Sequence, residues 1–120
     1  MKIATLIILS VIIATCSTTQ SNTAIQNKKQ DIPSCINDKI ESFKKEPKQN
    51  PPRSITEYTY KGRKVYYISA PCCDQFSDVL DSNCNLLGHP DGGFTGKGDG
   101  KLPGFAADAT EEKLVWKDDR

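Results

Sequence analysis

Apolar positions fall into three regimes along the chain. Ile3 to Ile13 form an apolar run broken only by Thr5 and Ser10. Ser17 to Asp31 are polar, rich in Ser, Thr, Asn and Gln. From Pro33 onward apolar residues return in short periodic groups, and these predict the folded elements. Pro33-Ser34 opens a helix with Ser34 as its N-cap, where a side-chain oxygen accepts a free amide of the first turn. Ile36, Ile40 and Phe43 follow at i, i+4 and i+7, one apolar stripe. Glu41 and Lys45 add a favourable i,i+4 pair worth roughly 0.2–0.5 kcal/mol. Pro47 disfavours helical geometry at Glu46 and ends the helix, and Pro51-Pro52 begins an extended connector.

The pattern then changes to period two. Ser54 to Tyr60 and Lys64 to Ser69 are rich in Ile, Thr, Tyr and Val, with Lys61-Gly62-Arg63 as the turn of a hairpin. Thr56, Tyr58 and Tyr60 share one face of the first strand, and Ile55, Glu57 and Thr59 the other. In the second strand Val65 and Tyr67 oppose Tyr66 and Ile68, so it reads as buried on both faces. A shorter hairpin is expected from Phe76 to Leu80 and Asn85 to Leu87, turning through Asp81 to Cys84. Leu114-Val115-Trp116 reads as a last strand before a charged, solvated tail, Lys117 to Arg120. One helix packed on a small antiparallel sheet of four or five strands is the economical solution, an α+β fold.

The start of the chain predicts its location. Met1-Lys2, the apolar run and Ile13-Ala14-Thr15-Cys16 follow the order of a secretory signal peptide. The run is too short to cross a bilayer, which needs roughly 20 residues. The residues around Cys16 resemble a bacterial lipobox, in which the cysteine is lipidated and becomes the new N-terminus. The expected organisation is a signal peptide over 1–15, lipidated Cys16 with a flexible tether over 16–31, and one folded domain over 32–120. The tether cannot bury enough apolar surface to offset its ordering entropy. The residues after Cys16 are not acidic, which favours a periplasm-facing anchor on the outer membrane.

Composition adds two constraints. Sixteen basic and fifteen acidic residues leave a charge of +1, giving no electrostatic reason to expect nucleic acid. Asp38 to Lys64 is basic and Asp74 to Asp119 acidic, so the halves pair within the fold or present a dipolar surface. An exported domain this small needs staples. With Cys16 lipidated, Cys35, Cys72, Cys73 and Cys84 remain, and an even count reads as two disulfides. The neighbours Cys72 and Cys73 are expected to bond separately to Cys35 and Cys84, because adjacent Cα atoms stand closer than the roughly 4.4–6.8 Å usual for a disulfide. A redox-active Cys72-Cys73 pair is the alternative.

Seven of the eight glycines lie between Gly88 and Gly104. A loop this long in a small domain is structural, partner-binding or ligand-binding. Its candidate partner-binding residues are His89, Asp91, Phe94, Lys97, Asp99 and Lys101, with Phe94 and Phe105 expected to pin it to the core. Ligand signatures fail in turn. Gly100-Lys101 is followed by Leu102, where a phosphate-binding loop needs Ser or Thr. Asp81, Asn83 and Asn85 occupy calcium-loop positions, but Leu86 and Gly92 replace the required Gly and Glu. His89 is the only histidine, and the cysteines are better used as disulfides than as zinc ligands. No catalytic residue, metal or cofactor is predicted, so the expectation is a non-enzyme.

The chain resembles an uncharacterised family of small bacterial lipoproteins. The resemblance rests on Cys35-Ile36 with Lys39-Ile40 and Phe43, Asn50-Pro51-Pro52, Val65-Tyr66-Tyr67, Ala70-Pro71-Cys72-Cys73-Asp74, the Pro90-Asp91-Gly92-Gly93 to Gly100 loop, and Leu114-Val115-Trp116-Lys117-Asp118. The family pattern includes further cysteines near Gly88 and Leu102, which this chain lacks, implying fewer bridges and a looser loop. The resemblance implies an envelope lipoprotein and transfers no catalytic residue. The expected function is a lipid-anchored binding module, attached to the membrane through its lipid, that presents loop 88–104 and exposed tyrosines to a periplasmic protein. An inhibitor of a secreted hydrolase is the main alternative.

Overall fold

The computed structural model describes residues 31–120. The expected signal peptide, Cys16 and the tether up to residue 30 lie outside the described residues. Seven elements follow in order: α1 (Ser34–Lys45), β1 (Ser54–Tyr60), β2 (Arg63–Ile68), β3 (Asp78–Asp81), β4 (Leu86–Gly88), α2 (Phe105–Asp108) and β5 (Thr110–Lys117). The strands form one antiparallel sheet in the order β4-β3-β2-β1-β5. The fold is α+β, one main helix against a five-stranded sheet. No helix among the described residues is long and apolar enough to cross a membrane.

Alternation along the central strands sends side chains to two covered faces. Ile55, Tyr66, Ile68 and Leu80 point to one face, where Ile36, Ile40 and Phe43 of α1 close over them. Val65, Val79 and Tyr60 point to the other, where Leu102 and Phe105 cover them. The register makes this possible: Ile55 stands opposite Ile68, and Tyr66 opposite Leu80. The β1–β2 turn is the two-residue pair Lys61-Gly62, both at positive φ (48° and 74°), which matches the twist of a hairpin.

Several local expectations change. Ser34 is the first helical residue and caps nothing; the Pro33 carbonyl accepts the Ile36 and Asn37 amides instead. Glu41 pairs with Lys44 at 2.7 Å, one residue nearer than Lys45. Cys35 bonds to Cys84 across 6.2 Å of Cα separation, tying the first turn of α1 to the β3–β4 turn. This overturns the expected pairing of Cys72 and Cys73 with separate distant partners: once Cys35 and Cys84 meet, the two neighbours are bonded to each other. Asp81 acts as a turn former, its Oδ1 accepting the Asn83 and Asn85 amides at 2.8 and 2.9 Å.

The end of the chain is not a solvated tail. Asp118 is only 3% exposed, and its carboxylate takes two hydrogen bonds of 2.8 Å from the Arg120 guanidinium. The same guanidinium donates to the Phe43, Lys44 and Glu46 carbonyls, satisfying orphan acceptors at the C-terminus of α1. Positive charge there also complements the helix dipole. The Arg120 bonds hold the Asp118 carboxyl down at about 2, against the burial that would raise it. Arg53 adds a second cation at this corner, 3.7 Å from the Phe43 ring centroid.

Candidate functional site

The Gly-rich segment crosses the sheet face opposite α1 and is secured by its own polar groups. Asp99 Oδ1 accepts the His89 and Lys101 amides at 3.1 and 3.0 Å, and the Asp99 amide returns a bond of 3.0 Å to the His89 carbonyl. Burial alone would raise the Asp99 carboxyl, but those two amides and the nearby Lys101 outweigh it and leave it below its ordinary value. The Gly93 amide donates to the Asp74 carbonyl at 2.8 Å. The His89 ring stacks on Phe76 with centroids 4.8 Å apart, and its Nδ1 lies 3.0 Å from Asp78 Oδ1 and 3.1 Å from the Ser77 carbonyl.

Two glycines make this packing possible. Gly92 and Gly98 have φ of 83° and 71°, in the left-handed region. A methyl group at Gly92 would overlap the Gln75 carbonyl, and one at Gly98 the His89 carbonyl.

The structure therefore divides the six candidate loop residues. His89, Asp91 and Asp99 bond inward, and Lys101 is exposed with its amine 3.6 Å from Asp99. Phe94 and Lys97 project to solvent. The expectation of two aromatic pins is half right: Phe105 is 6% exposed in the core, whereas Phe94 is 98% exposed and pins nothing. Exposed tyrosines are likewise absent. Tyr60 and Tyr66 are buried, and Tyr58 and Tyr67 are half-buried.

Those half-buried tyrosines belong to a second feature, a half-open groove of about 430 Å³ between α2, β5 and the loop face of the sheet. Its aromatic lining is Tyr58, Tyr67 and Phe105. Phe105 lies parallel to Tyr67 at 6.3 Å, and Tyr58 meets both edge-on at 5.8 and 6.4 Å. Ala106 and Ala109 keep one wall low. Asp91, Thr110, Glu111 and Glu112 complete the lining, which includes no Lys or Arg.

Strand β5 is irregular here. Its register against β1 shifts twice, and Glu111 sits at φ 55°, a left-handed conformation that is uncommon outside glycine. Such a bulge re-aims side chains at a sheet edge. Glu111 accepts a hydrogen bond from the Thr59 hydroxyl.

The tyrosine hydroxyls feel this acidic lining. Tyr67 donates to Asp91 Oδ2 at 2.8 Å, with Ser77 Oγ at 2.9 Å. Burial first, opposed by Ser77 and reinforced by Asp91, pushes the Tyr67 hydroxyl up to about 12. Burial and then the Glu112 carboxylate push Tyr58 above its ordinary value. Both phenols stay neutral and act as donors at any physiological pH.

Sequence reading missed this groove, although it had one signal. Tyr58 shares a face with Tyr60, and the two-sided second strand required a second cover for the sheet. Among the described residues no three His, Cys, Asp or Glu side chains are grouped to hold a metal ion. The family described as Domain of unknown function (DUF6970) matches residues 41–118. No curated protein and no solved structure matches the chain.

Proposed function

The chain belongs to the DUF6970 family, which carries no assigned activity, and we propose from its own geometry that it is a lipid-anchored binding module of the bacterial envelope. The observation that carries this reading is Phe94. An aromatic ring 98% exposed stands on a loop whose flanks are otherwise bonded to the domain. A rigid backbone lowers the ordering cost of binding, and aromatic anchors dominate the energetics of protein interfaces. Lys97, three residues on, is an exposed cation that sets orientation and on-rate.

Two features support the envelope location. The order of charged, apolar and small residues before Cys16 is that of an exported lipoprotein. The Cys35–Cys84 bond belongs in an oxidising compartment. In this reading the anchor sits on the outer membrane, facing the periplasm, with the polar stretch after Cys16 as the tether.

The same exposed ring on a braced loop favours one second reading, an inhibitor that offers the loop to the cleft of a secreted hydrolase. That reading predicts stoichiometric loss of hydrolase activity with the 88–104 loop uncleaved.

Two substitutions test the module. Cys16→Ser moves the protein from the membrane fraction to the soluble fraction. Phe94→Ala weakens partner recovery at least about tenfold with an unchanged melting temperature, as expected for a hot-spot truncation. Unchanged recovery overturns the role of the loop tip, and unchanged fractionation overturns the anchor.

A further inference from the structure

The groove beside α2 carries its own chemistry, independent of the loop tip. Its aromatic surfaces come from three elements: Tyr58 on β1, Tyr67 on β2 and Phe105 at the start of α2. Its three carboxylates also come from separate places: Asp91 in the Gly-rich segment, and Glu111 and Glu112 on β5. Among the described residues none of these three carboxylates has a Lys or Arg within ion-pair distance, although five other acidic residues do. The negative charge is instead held by hydroxyl donors, Tyr67 at Asp91 and Thr59 at Glu111. Neutral donors fix the carboxylates in place without cancelling their charge.

Aromatic faces and uncancelled carboxylates in one cleft attract the same ligand class. A cation over an aromatic face interacts with the ring quadrupole, and does so more strongly where the site is partly desolvated. A guanidinium suits this groove better than an ammonium. It is planar, it stacks on rings, it is weakly hydrated, and its fork of donors matches carboxylate oxygens. The groove is half open and lies along β5, an edge strand of the sheet, so a side chain can enter while its backbone stays outside.

We propose that this groove receives the arginine side chain of a partner polypeptide, with the half-buried Tyr58 and Tyr67, backed by the buried Phe105, offering the aromatic surfaces and Asp91, Glu111 and Glu112 the counter-charge. The pairing gives the acidic C-terminal half of the chain a defined role, which is recognition of a basic segment. It also adds charge specificity that an exposed Phe94 alone lacks, because a neutral side chain in the groove leaves the carboxylates without a counter-charge.

The test is a titration of the full chain in detergent, followed by backbone amide NMR. The probes are the capped pentapeptide Gly-Gly-Arg-Gly-Gly, the same peptide with citrulline in place of arginine, and acetyl-arginine amide, each to about 20 mM, which covers millimolar affinities. The expected result is saturable shifts at Tyr58, Tyr67 and residues 105–112 with the arginine peptide. The citrulline peptide binds at least about tenfold more weakly, the discrimination expected when a cation–π contact and its counter-charge are both lost. The paired change Glu111→Gln and Glu112→Gln, both on the surface, weakens the arginine peptide without moving the rest of the spectrum.

Equal binding of the citrulline peptide, no saturable shifts at the groove, or an unaffected Glu111→Gln/Glu112→Gln variant each overturns the proposal. Acetyl-arginine amide binding as tightly as the pentapeptide overturns its polypeptide part, because the site then takes a free guanidine. Phe94→Ala leaves this titration unchanged, so the groove and the loop-tip reading fail separately.

Discussion

Replacing both members of the Cys35–Cys84 bridge by alanine tests what holds α1 to the sheet. Alanine is preferred to serine because both sites are partly buried and a hydroxyl there would add its own desolvation cost. The bridge spans a sequence separation of 49 residues. The chain-entropy relation for a loop of that length gives roughly 4 kcal/mol of stabilisation, through restriction of the unfolded chain. A domain of this size has about 5–15 kcal/mol in total, so the loss is a large fraction of it. At about 4–8 °C per kcal/mol, the melting temperature should fall by roughly 15–30 °C. The bond between Cys72 and Cys73 has a sequence separation of 1 and closes no loop of consequence, so Cys72→Ala with Cys73→Ala provides the control. Urea titration of the three proteins under non-reducing conditions reads the difference directly. A Cys72/Cys73 variant that loses as much stability as the Cys35/Cys84 variant would refute the reasoning, as would a Cys35/Cys84 loss below about 1 kcal/mol.

Phe105→Ala removes the ring that joins the second core to the groove and should cost about 3–5 kcal/mol in the same titration. Gly98→Ala places a methyl group against the His89 carbonyl at a left-handed φ and should destabilise by more than about 1 kcal/mol, whereas Gly96→Ala, with open space around it, should cost less. Asp118 is held down at about 2 from an ordinary 3.8, so its contribution is complete above about pH 4 and is lost as the pH falls through about 2. Asp118→Asn should flatten that acid limb of the stability profile, and an unchanged limb would remove Asp118 from its cause. Alkylation of the native protein before reduction should label none of Cys35, Cys72, Cys73 and Cys84, and a labelled Cys72 or Cys73 would reopen redox chemistry at that pair.

Local periodicity made much of the fold legible. The spacing of Ile36, Ile40 and Phe43 identified the buried stripe of α1, and the alternation of Ile55 to Tyr60 and Val65 to Ile68 identified the central hairpin and both its faces. What it could not convey was the identity of elements too short or too exposed to have a period. Helix α2 is a single turn after Gly104, and Thr110 to Lys113 of β5 are polar and exposed, so neither shows an apolar pattern. Phe94 and Phe105 both follow glycine in the chain, and only the third dimension separates an anchor in the core from a ring in solvent.

The charged end of the chain poses the same problem. Lys117 to Arg120 read as a solvated tail because the carbonyls that Arg120 caps lie about seventy residues earlier in sequence. Half of the candidate site was likewise visible: the Gly-rich segment was singled out, but the groove needs Tyr58, Tyr67, Phe105 and Glu112 from four elements or segments brought together by the sheet.

The most direct measurement of the central claim is site-specific photo-crosslinking in intact cells, with the crosslinker placed at Phe94 on the loop tip or at Ser42 on the exposed side of α1. A binding module that works through its loop face gives a discrete adduct with one envelope protein from position 94 and none from position 42. The same adduct from both positions, or none from position 94, would contradict the account.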